Sequence, residues 1–250
     1  SACDLAVLYA EPELSEAKAT LSDHMEKLLQ HHGTILKISD FVERYGYNAV
    51  LAATEYLDSS EQSVKFEAYR IILKAGLTSH DTLMRQRCVG ILVNSLNDTT
   101  APGRLTEVLL DFRSQDFSEE AQKVLHDKLM ASPAYKLMLL IGLAGMTSEI
   151  PFLQQLIDKG NEPLKPFGRY APDEDSFAFA AMMAKARMGD REDAKRCVEL
   201  VRAYPDDDNF KSVLLRRIAY IRQPEVIELL KEYLNIGRLV GSLHGRNHKF

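Results

Sequence analysis

Residues 135–160, YKLMLLIGLAGMTSEIPFLQQLIDKG, contain a helix, a tight turn, a second helix and a stop. The first half, 137–143, is apolar on nearly every side, so that helix must be covered on more than one face. The second half is amphipathic, with Ile150, Leu153, Leu156 and Ile157 at helical spacing and Glu149, Gln154, Gln155 and Asp158 between them. Ser148 stands where an N-cap belongs, Pro151 falls in the first turn, and Gly160 is placed where the chain leaves the helix. Such a hairpin cannot bury its apolar faces alone. It requires similar helix pairs on either side.

The rest of the chain supplies them. Residues 13–32 repeat Leu14, Ala17, Leu21, Met25, Leu28 and Leu29 at steps of three and four. Asp40 and Glu43 have the spacing of a capping box, and Gly46 interrupts the pattern over 40–57, as two short helices or as one kinked helix. A helix over 61–75 is closed by Gly76. Another over 80–96 has Leu83, Met84, Val89, Leu92, Val93 and Leu96 as core contacts. Helices follow at 105–112 and, capped by Ser118, at 119–130. After the 135–160 hairpin come helices at 177–188, at 192–203 behind a Gly189-Asp190 turn, at 213–221, and at 225–234, opened by Pro224 and ended by Gly237. No stretch alternates apolar and polar residues for long, and no Asn-Gly or Asp-Gly turn joins such stretches, so the chain is all-α. Residues 1–12 read as an N-terminal tail, 13–237 as a single domain, and 238–250 as a basic, frayed tail.

With 250 residues, 46% of them hydrophobic, there is ample material for a core, and no apolar run approaches the roughly 20 residues of a membrane-spanning helix. The net charge of −5 argues against a surface built to hold nucleic acid. That charge is unevenly spread, with 14 Lys and Arg against 10 Asp and Glu over 185–250 and 17 against 26 before it. The three cysteines, Cys3, Cys88 and Cys197, form neither a disulfide framework nor a zinc motif. Cys88 and Cys197 lie in apolar helical patterns and read as buried thiols. Ser1-Ala2-Cys3 resembles the end of a bacterial lipoprotein processing site, which implies a lipid anchor at Cys3 in a chain processed that way. Cytoplasmic and extracytoplasmic locations both remain open.

Aligned on their turns, GLAGMTSEIPFLQQLI, KARMGDREDAKRCVELV and AYIRQPEVIELLKEYL share an apolar or small end to the first helix, a short turn and a glutamate. Those glutamates, Glu149, Glu192 and Glu225, are 43 and 33 residues apart, and the longer interval contains the irregular stretch 161–175. The pattern resembles HEAT-like repeats, most closely at Met188-Gly189-Asp190-Arg191-Glu192. The resemblance implies a right-handed α-α superhelix, a solenoid of about six helix pairs with each second helix on the concave side. It also implies protein binding along that concavity. A minority of HEAT-like proteins are enzymes, but this chain has no His-Glu dipeptide of the kind the iron-dependent hypusine-precursor hydroxylases carry, and no tryptophan of the kind the DNA glycosylases use.

No catalytic motif stands out, and no cofactor or metal is expected. His244 and His248 have the separation of a zinc-ligand pair, but Gly245 lies between them and no cysteine is near. Two features suit binding. In 165–170, Arg169 stands between Phe167 and Tyr170 on a proline-stiffened stretch, a composition common in binding hot spots. On the 192–203 helix, Arg196, Glu199 and Arg202 are spaced to share one side. The expected function is a protein- or peptide-binding scaffold acting through the concave face or the 161–175 loop. An enzyme with a HEAT-like cleft and a structural module of a larger chain are the alternatives.

Overall fold

The computed structural model describes residues 11–30, 36–97, 109–161, 174–203 and 209–244. Among them are twelve α-helices and no strand, so the chain is all-α. The chain forms two compact units, one ending at Leu125 and the other beginning at His126.

The first unit contains α1 (Glu11–Leu29), α2 (Ile38–Tyr45), α3 (Tyr47–Thr54), α4 (Gln62–Thr78) and α5 (Thr82–Asn94). α4 packs between α3 and α5, and α1 lies on α3. Ala17, Leu21 and Met25 are buried along α1, as their spacing predicts. Gly46 resolves the 40–57 ambiguity in favour of two short helices. Its φ of 53° and ψ of −124° belong to glycine, and it ends α2 and opens α3 in one step. The capping box expected from Asp40 and Glu43 does not form. Lys37 holds the N-cap position without a side-chain bond, and Asp40 sits in the first turn, where a carboxylate complements the helix dipole.

Gly76 is not a stop signal either, since α4 continues through it to Thr78. A Cβ at this position would lie 2.8 Å from the Phe112 ring and 2.9 Å from Cys88 Cβ. The glycine is therefore a contact point that brings α4 against α5. α5 is capped by the Asp81 carboxylate, which accepts from Leu83 N–H at 2.9 Å. Val89, Leu92 and Val93 are buried as expected, whereas Leu83 is 41% exposed because its place beside the cap faces outward. Of the helix expected at 105–112 only 109–112 are described, a turn that buries Leu109 and Phe112.

α6 (Glu119–Ala131) straddles the division, with Ser118 Oγ accepting from Ala121 N–H at its start. The second unit continues with α7 (Tyr135–Ala144), α8 (Ile150–Ile157), α9 (Glu174–Arg187), α10 (Arg191–Ala203), α11 (Asn209–Ile218) and α12 (Pro224–His244). α7 ends on Gly145, which adopts the left-handed conformation at φ 72°. A 3₁₀ turn, Thr147–Glu149, leads into α8, and Glu149 rather than Ser148 occupies the N-cap position. Ser148 instead donates its hydroxyl to the Glu149 carboxylate. α12 passes through Gly237, which was expected to end it, and reaches His244.

α9 is the centre of this unit. It packs against α7, α8 and α10, and every residue over 178–186 is buried. Gly142 lets α7 approach it until the two backbones touch, since a Cβ there would lie 2.7 Å from Ala184 Cα and 2.8 Å from Ala184 O. Lys185 ties the surrounding helices together. Its ammonium donates to Gln154 Oε1 of α8 at 2.6 Å and pairs with Asp193 of α10 at 2.7 Å and Asp190 at 3.2 Å. Burial lowers the pKa of this lysine, but the Asp193 and Asp190 carboxylates outweigh burial and leave it raised. Asp190 is also the N-cap of α10, accepting from Glu192 and Asp193 N–H at 3.1 Å each, behind Gly189 at φ 113°. That turn is as the sequence predicts.

Candidate functional site

α4 carries two faces. Val64, Ala68, Ile71, Ile72 and Ala75 enter the core. Arg70, Leu73, Lys74 and Leu77, at positions i, i+3, i+4 and i+7, form a second stripe, with Leu77 41% exposed. Opposite this stripe runs the segment Leu36, Lys37, Ile38, Ser39, anchored by Phe41 N–H donating to Lys37 O at 3.0 Å. The two elements enclose a hollow of 480 Å³.

Three more hollows adjoin it through shared walls, all within the first unit. One of 430 Å³ lies along Thr20, Asp23, His24 and Lys27 of α1 and shares Leu36 and Lys37. A second, of 560 Å³, shares Ser39 and Lys74 and extends past Gly46 to Met84. It shares Thr78, Ser79 and His80 with the last, a polar hollow of 390 Å³ bounded by the turn between α4 and α5 and by Asp111, Arg113 and Gln115. The row thus passes from α1, across the stripe of α4, to the start of α5.

Hydrogen bonds among buried and half-exposed polar side chains brace its walls. His24 Nε2 and Glu67 Oε1 are 3.3 Å apart, both buried, and Arg70 donates to Glu67 Oε2 at 2.8 Å. At the other end, buried Arg85 donates to Asp116 Oδ1 at 2.7 Å, to Ser79 O at 3.0 Å and to Thr82 Oγ1 at 2.8 Å. Asp116 in turn accepts from Arg113 N–H at 2.9 Å. A buried pair of this kind fixes geometry at a desolvation cost, so these walls hold their shape. Lys37 and Lys74 differ, being exposed and without an ion-pair partner among the described residues.

The chemistry for covalent catalysis is not assembled among the described residues. Cys88 and Cys197 are buried free thiols; burial pushes Cys88 up to about 12, and burial, followed by the Asp193 carboxylate, raises Cys197 further. His126 Nδ1 lies 3.0 Å from Glu149 Oε1, but the neighbouring Ser148 hydroxyl bonds the carboxylate rather than the imidazole, the wrong order for a nucleophile and its base. No group of three or more His, Cys, Asp or Glu among these residues could hold a metal ion, and no described helix is long and apolar enough to cross a membrane.

Of the residues singled out from sequence, Phe167, Arg169 and Tyr170 lie outside the described residues, as do Cys3 and His248. Arg196, Glu199 and Arg202 all stand on α10. Arg196 Nη1 is 3.4 Å from Asp193, and Arg202 reaches Glu232 of α12 at 3.2 and 3.3 Å, so both arginines have partners within their own unit. The hollows of the first unit were missed. The signal available for them was the mixed stripe Arg70, Leu73, Lys74, Leu77, a second apolar spacing on a helix whose core face was already accounted for. No family model, no curated protein and no solved structure matches this chain.

Proposed function

We propose that this chain is a protein- or peptide-binding module built of HEAT-like helix pairs, and that it receives an extended segment of its partner along the row of hollows in the first unit. The observation that supports this reading is the sharing of walls. Three adjoining hollows with mainly apolar linings that lead into a polar one suit a chain that presents successive side chains and backbone groups better than one compact small molecule. The braced walls support it further, because a preformed surface loses less on ordering a ligand than a soft one. The 161–175 stretch, with Phe167, Arg169 and Tyr170, and the α10 face, with Arg196, Glu199 and Arg202, are the second contact regions in this reading.

The test is selection of displayed random peptides on the immobilised full chain, followed by competition on variants. Leu73→Asp with Leu77→Asp alters the hollow beside α4, and Arg169→Ala with Tyr170→Ala alters the 161–175 stretch. Peptides that bind wild type and lose affinity in the first variant place binding in the row of hollows, and loss only in the second moves it to that stretch. A selection that enriches no binding peptide refutes the reading.

A further inference from the structure

The 480 Å³ hollow differs from the others in its chemistry. Leu36, Ile38, Leu73 and Leu77 give it apolar walls, and among the described residues that line it the charged side chains are cations, Lys37, Arg70 and Lys74. This runs against the surrounding composition, since residues 1–125 carry 19 Asp and Glu against 12 Lys and Arg. Carboxylates border the adjoining hollows rather than this one, Glu43 among them. Glu67 is buried between His24 and Arg70, Asp23 accepts from Lys27 at 2.5 Å, and Asp40 accepts from Ser39 Oγ at 3.3 Å and lines the adjoining hollow. Lys37 and Lys74 thus line an apolar hollow from two different elements, with no ion pair to either among the described residues.

We infer that this hollow accepts an acidic, apolar peptide motif, a leucine- or phenylalanine-sized side chain flanked by carboxylates. The apolar side chain fills the space between Ile38 and Leu73, and the carboxylates meet Lys37 and Lys74. The hollow continues on both sides into neighbours that share its walls, which suits an extended peptide. Charge supplies steering and register, and the apolar contact supplies affinity. The assignment rests on the peptide-binding reading and specifies its ligand class.

The probes are fluorescein-labelled synthetic peptides that alternate glutamate with leucine, lysine with leucine, or glutamate with serine, titrated by fluorescence anisotropy against the full chain. Vesicles of phosphatidylglycerol serve as a fourth probe. The glutamate–leucine peptide is expected to bind at least about tenfold more tightly than the other two, a difference of about 1.4 kcal/mol. Its affinity is expected to fall with added salt. Lys37→Glu with Lys74→Glu, both at exposed positions, is expected to abolish the preference while leaving the circular dichroism spectrum unchanged. Equal binding of the lysine–leucine peptide, or a preference that survives the charge reversal, overturns the inference, as does charge-dependent binding to the vesicles in place of the peptides. Peptides selected from the random library that bind this hollow without acidic residues overturn the acidic motif and leave the peptide-binding reading intact. A library that yields no binder removes that reading first.

Discussion

Gly142→Ala adds one methyl group at the place where α7 and α9 touch. Its Cβ would stand 2.5 Å from the Tyr220 hydroxyl oxygen and under 3.0 Å from two backbone atoms of Ala184. Backbone cannot rotate aside as a side chain can, so the helices must separate. Overpacking of this kind costs about 1–3 kcal/mol. The Tyr220 hydroxyl, which donates to Leu139 O at 2.5 Å, is displaced as well, for about 1 kcal/mol. Alanine's better helix propensity returns about 1 kcal/mol. The net expectation is a loss of about 2 kcal/mol, or a fall of roughly 4–8 °C in the melting temperature for a chain of this length. Gly90→Ala is the internal control. It lies within α5 with no atom inside 4 Å of an added Cβ, so the same substitution should stabilise by up to about 1 kcal/mol. Both are read by urea titration followed by far-ultraviolet circular dichroism. Combining Gly142→Ala with Tyr220→Phe should cost less than the two changes added, because the phenylalanine removes the atom that the new methyl strikes first. A Gly142→Ala protein as stable as wild type would refute backbone contact between α7 and α9.

Lys185→Met should be damaging in the second unit, at about 3 kcal/mol, because it leaves buried Asp193 with only the long 3.4 Å contact to Arg196; adding Asp193→Asn should recover part of that loss in the same urea titration. Stability should fall as pH rises from about 9 towards 12. Burial raises Cys88 from 9.0 and Tyr135 from 10.0 to about 12, so over this interval the folded chain retains protons that the unfolded chain releases; urea midpoints that stay level across it would contradict the burial of both groups. The two described cysteines should react with a thiol reagent only on unfolding, and fast labelling of either Cys88 or Cys197 in native buffer would contradict its position. Asp190→Ala removes a cap and one of the carboxylates facing Lys185, and a loss of about 1–2 kcal/mol is expected, against a negligible change for exposed Glu192→Ala.

Helix positions were legible because the apolar spacing of α1, α4 and α10 directly reflects the face each one buries. Turn chemistry was legible where one residue type has one use, as at Gly189-Asp190 and Ser118. It failed where a glycine can serve two ends. Gly76 and Gly237 both look like helix stops in sequence, yet α4 and α12 continue through them, and at Gly76 the reason is the Phe112 ring, some 36 residues away. The α10 stripe was correctly assigned to one helix, but the partner of Arg202 comes from α12, which spacing within a helix cannot reveal. The row of hollows was hidden for the same reason. Its walls come from α1, the 36–39 segment, α4 and the 111–116 segment, and only tertiary packing brings those together.

The burial of α9 also bears on the order in which the second unit can form. A helix covered over 178–186 has no face to offer water, so it gains little from forming before its neighbours. Its partners α7 and α8 precede it in the chain and α10 follows, and the closest approach, Gly142 to Ala184, joins residues about 40 apart. During synthesis the apolar stretch of α7 therefore emerges well before the helix that covers it. The rate of folding should depend on closing that interval, and a chain cut short before α9 should be prone to aggregate rather than merely incomplete.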